Sequence, residues 1–151
     1  MIDPASEIPP CKYHTINEAV VAACDGLDGV VDGVVGDPRQ CHFDPETITC
    51  PKDVPPDCSC LTEREAEAVR QIYAGPHNSA GEQVWYGLEP GSEPQWTGLA
   101  SPPPPFPIAV DFYKYFVFQD PTWDWRTLNY DTDIATAKAK FGDIRYCPSF
   151  S

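Results

Sequence analysis

Residues 24–41 read CDGLDGVVDGVVGDPRQC, with three Asp-Gly pairs between two cysteines. Asp25, Asp28 and Asp32 lie close enough in sequence for their carboxylates to repel unless something positive sits among them. Calcium suits such a loop. It is a hard ion that takes roughly six to eight oxygens and mixes carboxylates with backbone carbonyls. On this spacing Asp25, Asp28 and Asp32 would give carboxylates, and Val30 and Val34 would give carbonyls. Gly26, Gly29 and Gly33 would give the backbone freedom to curl round an ion. The acids do not fall at EF-hand spacing. Zinc would want nitrogen or sulfur ligands, and magnesium usually keeps waters and works beside phosphates. The competing reading is a run of Asp-Gly turns with solvated carboxylates.

The chain around this loop has 151 residues, the length of one ordinary domain. Hydrophobic residues make up 42% and aromatics 12%, enough for a core and unlike a disordered tail. Eighteen prolines predict much irregular structure and few long elements. A net charge of −13 with no basic stripe excludes nucleic acid and anionic membranes as partners. No apolar stretch is long enough to span a bilayer.

The seven cysteines have no zinc-module spacing, so disulfides in an oxidising compartment are the better reading. An odd count leaves one without a partner inside the chain. The N-terminus has neither the basic nor the apolar region of a signal peptide. A piece of a longer secreted protein reconciles these two features.

The elements that would hold the loop are short. Residues 1–14 read as loop. Residues 15–23 read as a helix, with Thr15 as N-cap and Glu18 at the capping-box position. The clearest helix follows Thr62, with Glu65 completing the capping box and Gly75-Pro76 as the stop. Residues 83–88 predict a strand, 102–105 a polyproline-II run, 108–119 an apolar and aromatic helix, and 133–141 a last short helix. The fold class expected is α+β: an irregular, Pro-rich domain with a few short helices and small sheets.

The run CDGLDGVVDGVVGDPRQCHFDPETITC, followed by CLTEREAEAVRQIYAGP and YKYFVFQDPTWDW, resembles the tannase and feruloyl esterase family of secreted carboxylic ester hydrolases. The likeness runs from about residue 15 to about residue 141. It implies that residues 1–151 are a lid domain belonging to an α/β-hydrolase. It also implies a calcium site at Asp25, Asp28, Val30, Asp32 and Val34, the same set the spacing suggests. A Cys24–Cys41 disulfide is implied, and a second joining Cys50 to Cys58 or Cys60, with Cys60 preferred. Cys11 and Cys147 have no evident counterpart.

The same resemblance implies substrates that are esters of hydroxylated aromatic acids, with Trp96, Lys114 and Phe118 on the pocket wall. Lys114 and Phe118 are four apart and would share a helix face. Phe112, Tyr115, Phe116 and Gln119 would face the core. A lysine at 114 lacks the bidentate fork of an arginine, which weighs against carboxylate recognition there. The family hydrolyses with a Ser-His-Asp triad whose serine sits in a G-x-S-x-G elbow. No serine of this chain has that setting, so no catalytic residue is assigned and the segment is expected to be inactive without a catalytic domain. The alternative is a free-standing, calcium-stabilised extracellular binding module.

Overall fold

Helix α1 spans Cys11–Cys24 in the computed structural model, which describes residues 7–99 and 105–142. It begins earlier than expected. Pro10 precedes it with helical φ and ψ of −55° and −28°. Proline is preset for a helix start, and its missing N–H would have had no partner there anyway. The Thr15–Glu18 pair is not a capping box. Thr15 donates its hydroxyl to the Cys58 carbonyl at 2.7 Å, and Glu18 faces His14 at 3.2 Å on the surface. Tyr13, Ile16, Val20 and Cys24 form the buried stripe of α1.

Helix α2 spans Glu63–Ala74 and has the expected capping box. The Thr62 hydroxyl accepts from the Glu65 N–H at 3.2 Å, and the Glu65 carboxylate accepts from the Thr62 N–H at 2.7 Å. Gly75, at φ +74°, follows the last residue. Ala66 and Val69 of α2 join the stripe of α1, Leu61 and Trp96 in one core. A buried ion pair ties the two helices: Lys12 Nζ lies 2.6 Å from Glu65 Oε2, the oxygen that also caps α2. Arg70 adds surface pairs to Asp44, Glu46 and Glu67.

Three disulfides staple this region: Cys11–Cys58, Cys24–Cys41 and Cys50–Cys60. The Cys58/Cys60 alternative therefore divides, one cysteine to each of two bridges. Cys147 and most of the 102–105 proline run lie outside the described residues.

The small sheets of the α+β expectation do not form among the described residues. Only isolated bridges occur, Thr49 with Leu61 and His77 with Gln83, and the fold is helix and loop. The segment expected as a strand over 83–88 has a different partner. Leu88 N–H donates to the Ile72 carbonyl at 3.0 Å, one of the last-turn carbonyls of α2 that lack helical partners. Gly87 passes so close that a Cβ would sit 1.9 Å from the Tyr73 carbonyl oxygen. At Leu88, capping a helix end has replaced pairing with a strand, while Gln83 and Val84 pair locally with His77 and Pro76.

The chain divides into two compact units. The first, Met1–Ala74 with Gly87–Pro103, holds everything above except Gly75 and the local pairs of Gln83 with His77 and Val84 with Pro76, and ends in a short helix α3, Trp96–Leu99. The second is Gly75–Tyr86 with Pro104–Ser151. There α4, Pro107–Asp111, runs into a π-helical turn at Phe112–Val117, and α5 spans Thr132–Phe141. Phe118 N–H donates to the Tyr113 carbonyl, five residues back, at 2.9 Å. This wider turn changes which side chains share a face. Tyr115, Phe116 and Gln119 are exposed rather than core-facing, and Phe112 is half-buried. Val117 is the residue of this run that is fully buried.

Candidate metal and substrate sites

The Asp-rich loop leaves α1 without a break. Asp25–Asp28 form a 3-10 turn that continues the helix, and Gly29 at φ +90° turns the chain out of it. Gly33, at φ +82°, makes the second turn. Gly26 lies inside the 3-10 turn and is not among the positive-φ glycines, so its expected role falls to Gly29 and Gly33.

Asp25 is the anchor. Only 9% exposed, its Oδ1 accepts from the N–H groups of Asp32, Gly33 and Val34 at 3.1, 3.1 and 3.2 Å. Its Oδ2 accepts from Gly33 at 3.1 Å. Asp28 Oδ1 accepts from Val30 N–H at 2.9 Å, and Asp32 Oδ1 from Val34 N–H at 3.1 Å. The Cys24–Cys41 bridge closes the loop at its base. Just before it, Asp37 caps the 3-10 turn Pro38–Gln40 and pairs with Arg39 at 2.8 Å. The Arg39 side chain, then Gln40, hold the Asp37 carboxyl down at about 2.

The donor set fits a hard cation. It is all oxygen, and Asp28 has a cradle: a Cβ on Gly36 would lie 2.0 Å from Asp28 Oδ2. Gly36 was missed in the sequence because it is not part of an Asp-Gly pair. The three carboxylates, however, each turn to a backbone amide. Among the described residues no three His, Cys, Asp or Glu side chains converge as a metal-binding group. Gathering them on one ion requires exchanging some of those amide bonds for metal–oxygen contacts.

The three pocket candidates have unlike surroundings. Trp96, in the first unit, is fully buried. Tyr13 and Tyr73 meet its ring edge-on, each with centroids 5.7 Å away, and its N–H donates to Ser92 Oγ at 3.1 Å. Beside it lies a carboxylate that sequence reasoning did not single out. Glu93 is fully buried and accepts from Tyr73 O–H, Asn17 Nδ2 and Gly91 N–H at 2.7, 2.8 and 2.9 Å. Burial, and then Glu93, push the Tyr73 phenol far above its usual range, so it remains a donor. The SEPQW spacing puts Glu93 and Trp96 three apart but gives no hint of partners in α1 and α2.

Lys114 and Phe118, in the second unit, are both half-buried. Phe118 packs on Trp123 and Tyr113 with centroids 5.3 and 6.1 Å apart, and Trp123 stacks on Tyr113 at 5.4 Å. The Lys114 charge reaches Asp120 and Asp124 and helps to lower both carboxyls, chiefly held down by Thr122 and Arg126.

In the first unit, an open groove of about 350 Å³ lies between the Asp-rich loop and the turn before α3. Asn17, Val34, Val35, Pro90 and Pro94 are among its walls, and no histidine lines it. It can hold an apolar group but has no nucleophile–base pair.

A family model described as tannase and feruloyl esterase matches residues 1–140. The chain belongs to that family. It is 35% identical to a probable feruloyl esterase B-1 of Aspergillus terreus over 125 residues, covering 81% of this chain and 24% of the relative. It is 38% identical to an uncharacterized esterase of Xanthomonas campestris pv. campestris over 149 residues, covering 91% of this chain and 26% of the relative. The crystal structure of feruloyl esterase B from Aspergillus oryzae superposes with a TM-score of 0.83 at 26% identity. That match covers 91% of this chain and 27% of the other. A tannin acyl hydrolase from Aspergillus niger, 24% identical with a TM-score of 0.65 over 87% of this chain and 27% of its own, shares the fold. The chain thus spans about a quarter of the length of the relatives it matches.

Proposed function

We propose that residues 1–151 are the lid of a secreted serine carboxylic ester hydrolase acting on esters of hydroxylated aromatic acids. The observation that carries this reading is the family match over residues 1–140, set against relatives of whose length the match spans only about a quarter. The missing elbow serine supports it: the nucleophile, histidine and aspartate belong to an α/β-hydrolase domain outside this segment. The lid's part is to bind and exclude water. Phe118 and Lys114 border the substrate, the ring by apolar contact and the ammonium by charge. Trp96 holds the first unit together from within. Three disulfides fit an extracellular setting.

Calcium belongs to this proposal. Asp25, Asp28 and Asp32 by carboxylate, and Val30 and Val34 by carbonyl, would hold it. Bound there, the ion offsets the repulsion of the three acids. Ligand at about a hundredfold over its dissociation constant stabilises by about 2.7 kcal/mol. The melting temperature of the oxidised chain should rise with calcium and fall back with EDTA, and Asp25→Asn should abolish the response. A melting temperature indifferent to both would remove calcium from the reading.

The test of function is to replace the matching region of the A. oryzae feruloyl esterase B with this chain. The graft should cleave a hydroxycinnamate ester, and the 151-residue chain alone should not. Turnover by the chain alone, or a folded graft that neither binds nor cleaves, would sink the lid reading.

A further inference from the structure

Among its described residues, the second unit has an apolar side left exposed. Among the described residues only Val84 and Val117 of this unit are buried apolar side chains, and α4 and α5 contribute none. Its rings nevertheless form an ordered set. Ile108, Phe112 and Phe116 recur every four residues along α4 and the π-helical turn. Phe116 stacks on Phe112 with centroids 6.1 Å apart, and Phe141 of α5 packs on Phe112 at 5.3 Å. Ile108, Phe116 and Phe141 are 69, 60 and 45% exposed. Through Phe112 the cluster meets Tyr113 edge-on, with centroids 5.7 Å apart, and so adjoins the Tyr113, Phe118 and Trp123 group that holds the pocket candidate.

An exposed apolar face of this kind marks a contact surface. The charge pattern agrees. The second unit carries seven acidic and five basic residues, whereas the first carries sixteen and five. Near-neutral, aromatic-rich surface is what buried interfaces use. The relatives supply the occupant, because about three quarters of their length lies outside the region this chain matches.

We propose that Ile108, Phe112, Phe116 and Phe141 form the face that docks onto the catalytic portion of the esterase. This rests on the lid reading and adds the contact surface to it. The docked partner presents apolar surface, since no charged side chain belongs to the cluster. Docking also buries the outer side of the π-helical turn, and so fixes the segment that presents Lys114 and Phe118.

The test is hydroxyl-radical footprinting read residue by residue by mass spectrometry. The isolated oxidised chain is compared with the graft in the A. oryzae feruloyl esterase B. The expected result is strong labelling of Ile108, Phe116 and Phe141 in the isolated chain and its loss in the graft. Equal labelling in an active, folded graft would overturn the docking face while leaving the lid reading intact. Protection in an inactive graft would support the face and count against the lid's catalytic partnership. Labelling in the isolated chain that falls with concentration, together with a dimeric sedimentation coefficient, would assign the face to a second copy and overturn the proposed occupant.

Discussion

The two units of the chain are held by different means. In the first, α1 and α2 close on a buried core around Trp96. Three disulfides, the buried Lys12–Glu65 pair and the bonds to Glu93 fix its loops. In the second, rings pack on rings and stay partly in water, with only Val84 and Val117 buried among its described apolar side chains. Among its described residues, the first unit satisfies its buried polar side chains internally and covers its large rings, leaving only aliphatic side chains such as Leu27, Val31 and Val54 exposed on its loops. The second satisfies its backbone by turns and caps but leaves apolar area exposed. The Asp-rich loop and the pocket candidate Trp96 sit on the first unit, and the other two pocket candidates, Lys114 and Phe118, sit on the incomplete one. A metal site needs fixed donors, while a surface that closes over a substrate needs something to close against.

The sharpest way to break the first unit is through its buried charges. Lys12→Met leaves the Glu65 carboxylate buried without its cation, and losing one partner of such a pair costs about 3–5 kcal/mol. Adding Glu65→Leu should restore most of that loss but not the α2 cap, which is worth about 1 kcal/mol. Urea denaturation of the two variants and the parent measures both. A Lys12→Met chain as stable as the parent would mean that the pair is solvated. Next comes the Cys24→Ser/Cys41→Ser double variant, which should cost roughly 3 kcal/mol through the freed loop. Its calcium response should weaken as well, because the base of the Asp-rich loop is no longer held.

The parts legible in sequence were those written locally. The Thr62/Glu65 box and the Gly75 stop define α2 within a few residues, and the structure repeats them. The same pattern misled at Thr15 and Glu18, where the bonds run to Cys58 and His14 instead. Pro10, which reads as loop in the sequence, precedes and starts α1. Residues 83–88 have strand-like composition, but Gln83 makes an isolated bridge to His77 and Leu88 bonds to the end of α2, a contact that composition does not record. Helical period puts Phe112, Tyr115, Phe116 and Gln119 on the core side of residues 108–119, and the π-helical turn shifts that period. Of the loop, spacing gave the acids and the turns at Gly29 and Gly33. The Gly36 cradle and the amide cluster on Asp25 depend on how the chain folds back.

In the second unit a core-like ring and an exposed one should behave differently. Trp123 stacks on Tyr113 and packs on Phe118, so Trp123→Ala should cost about 1–3 kcal/mol. Phe116→Ser on the exposed side should change stability by less than about 0.5 kcal/mol in the isolated chain. Thermal melts of both variants test this contrast. Equal losses would mean that the two ring clusters form one core, and the difference drawn between the units would shrink.

The smallest effect concerns the edge of the first unit, where local bonds act without burial. Asp37 caps the turn before Cys41, and Arg39 and Gln40 lower its carboxyl from the usual 3.8 to about 2. A carboxyl depressed on folding adds stability above its unfolded value and loses it as pH falls through its folded value. The cap should therefore remain intact at pH 4 and open only as the pH approaches about 2. A carboxyl titration followed by NMR should put the Asp37 midpoint at about 2, and Arg39→Ala should move it upward. An ordinary midpoint in the parent would show that Arg39 is solvated. The loop would then be held at this end by the Cys24–Cys41 bridge, and the first unit's rigidity would stop at its disulfides.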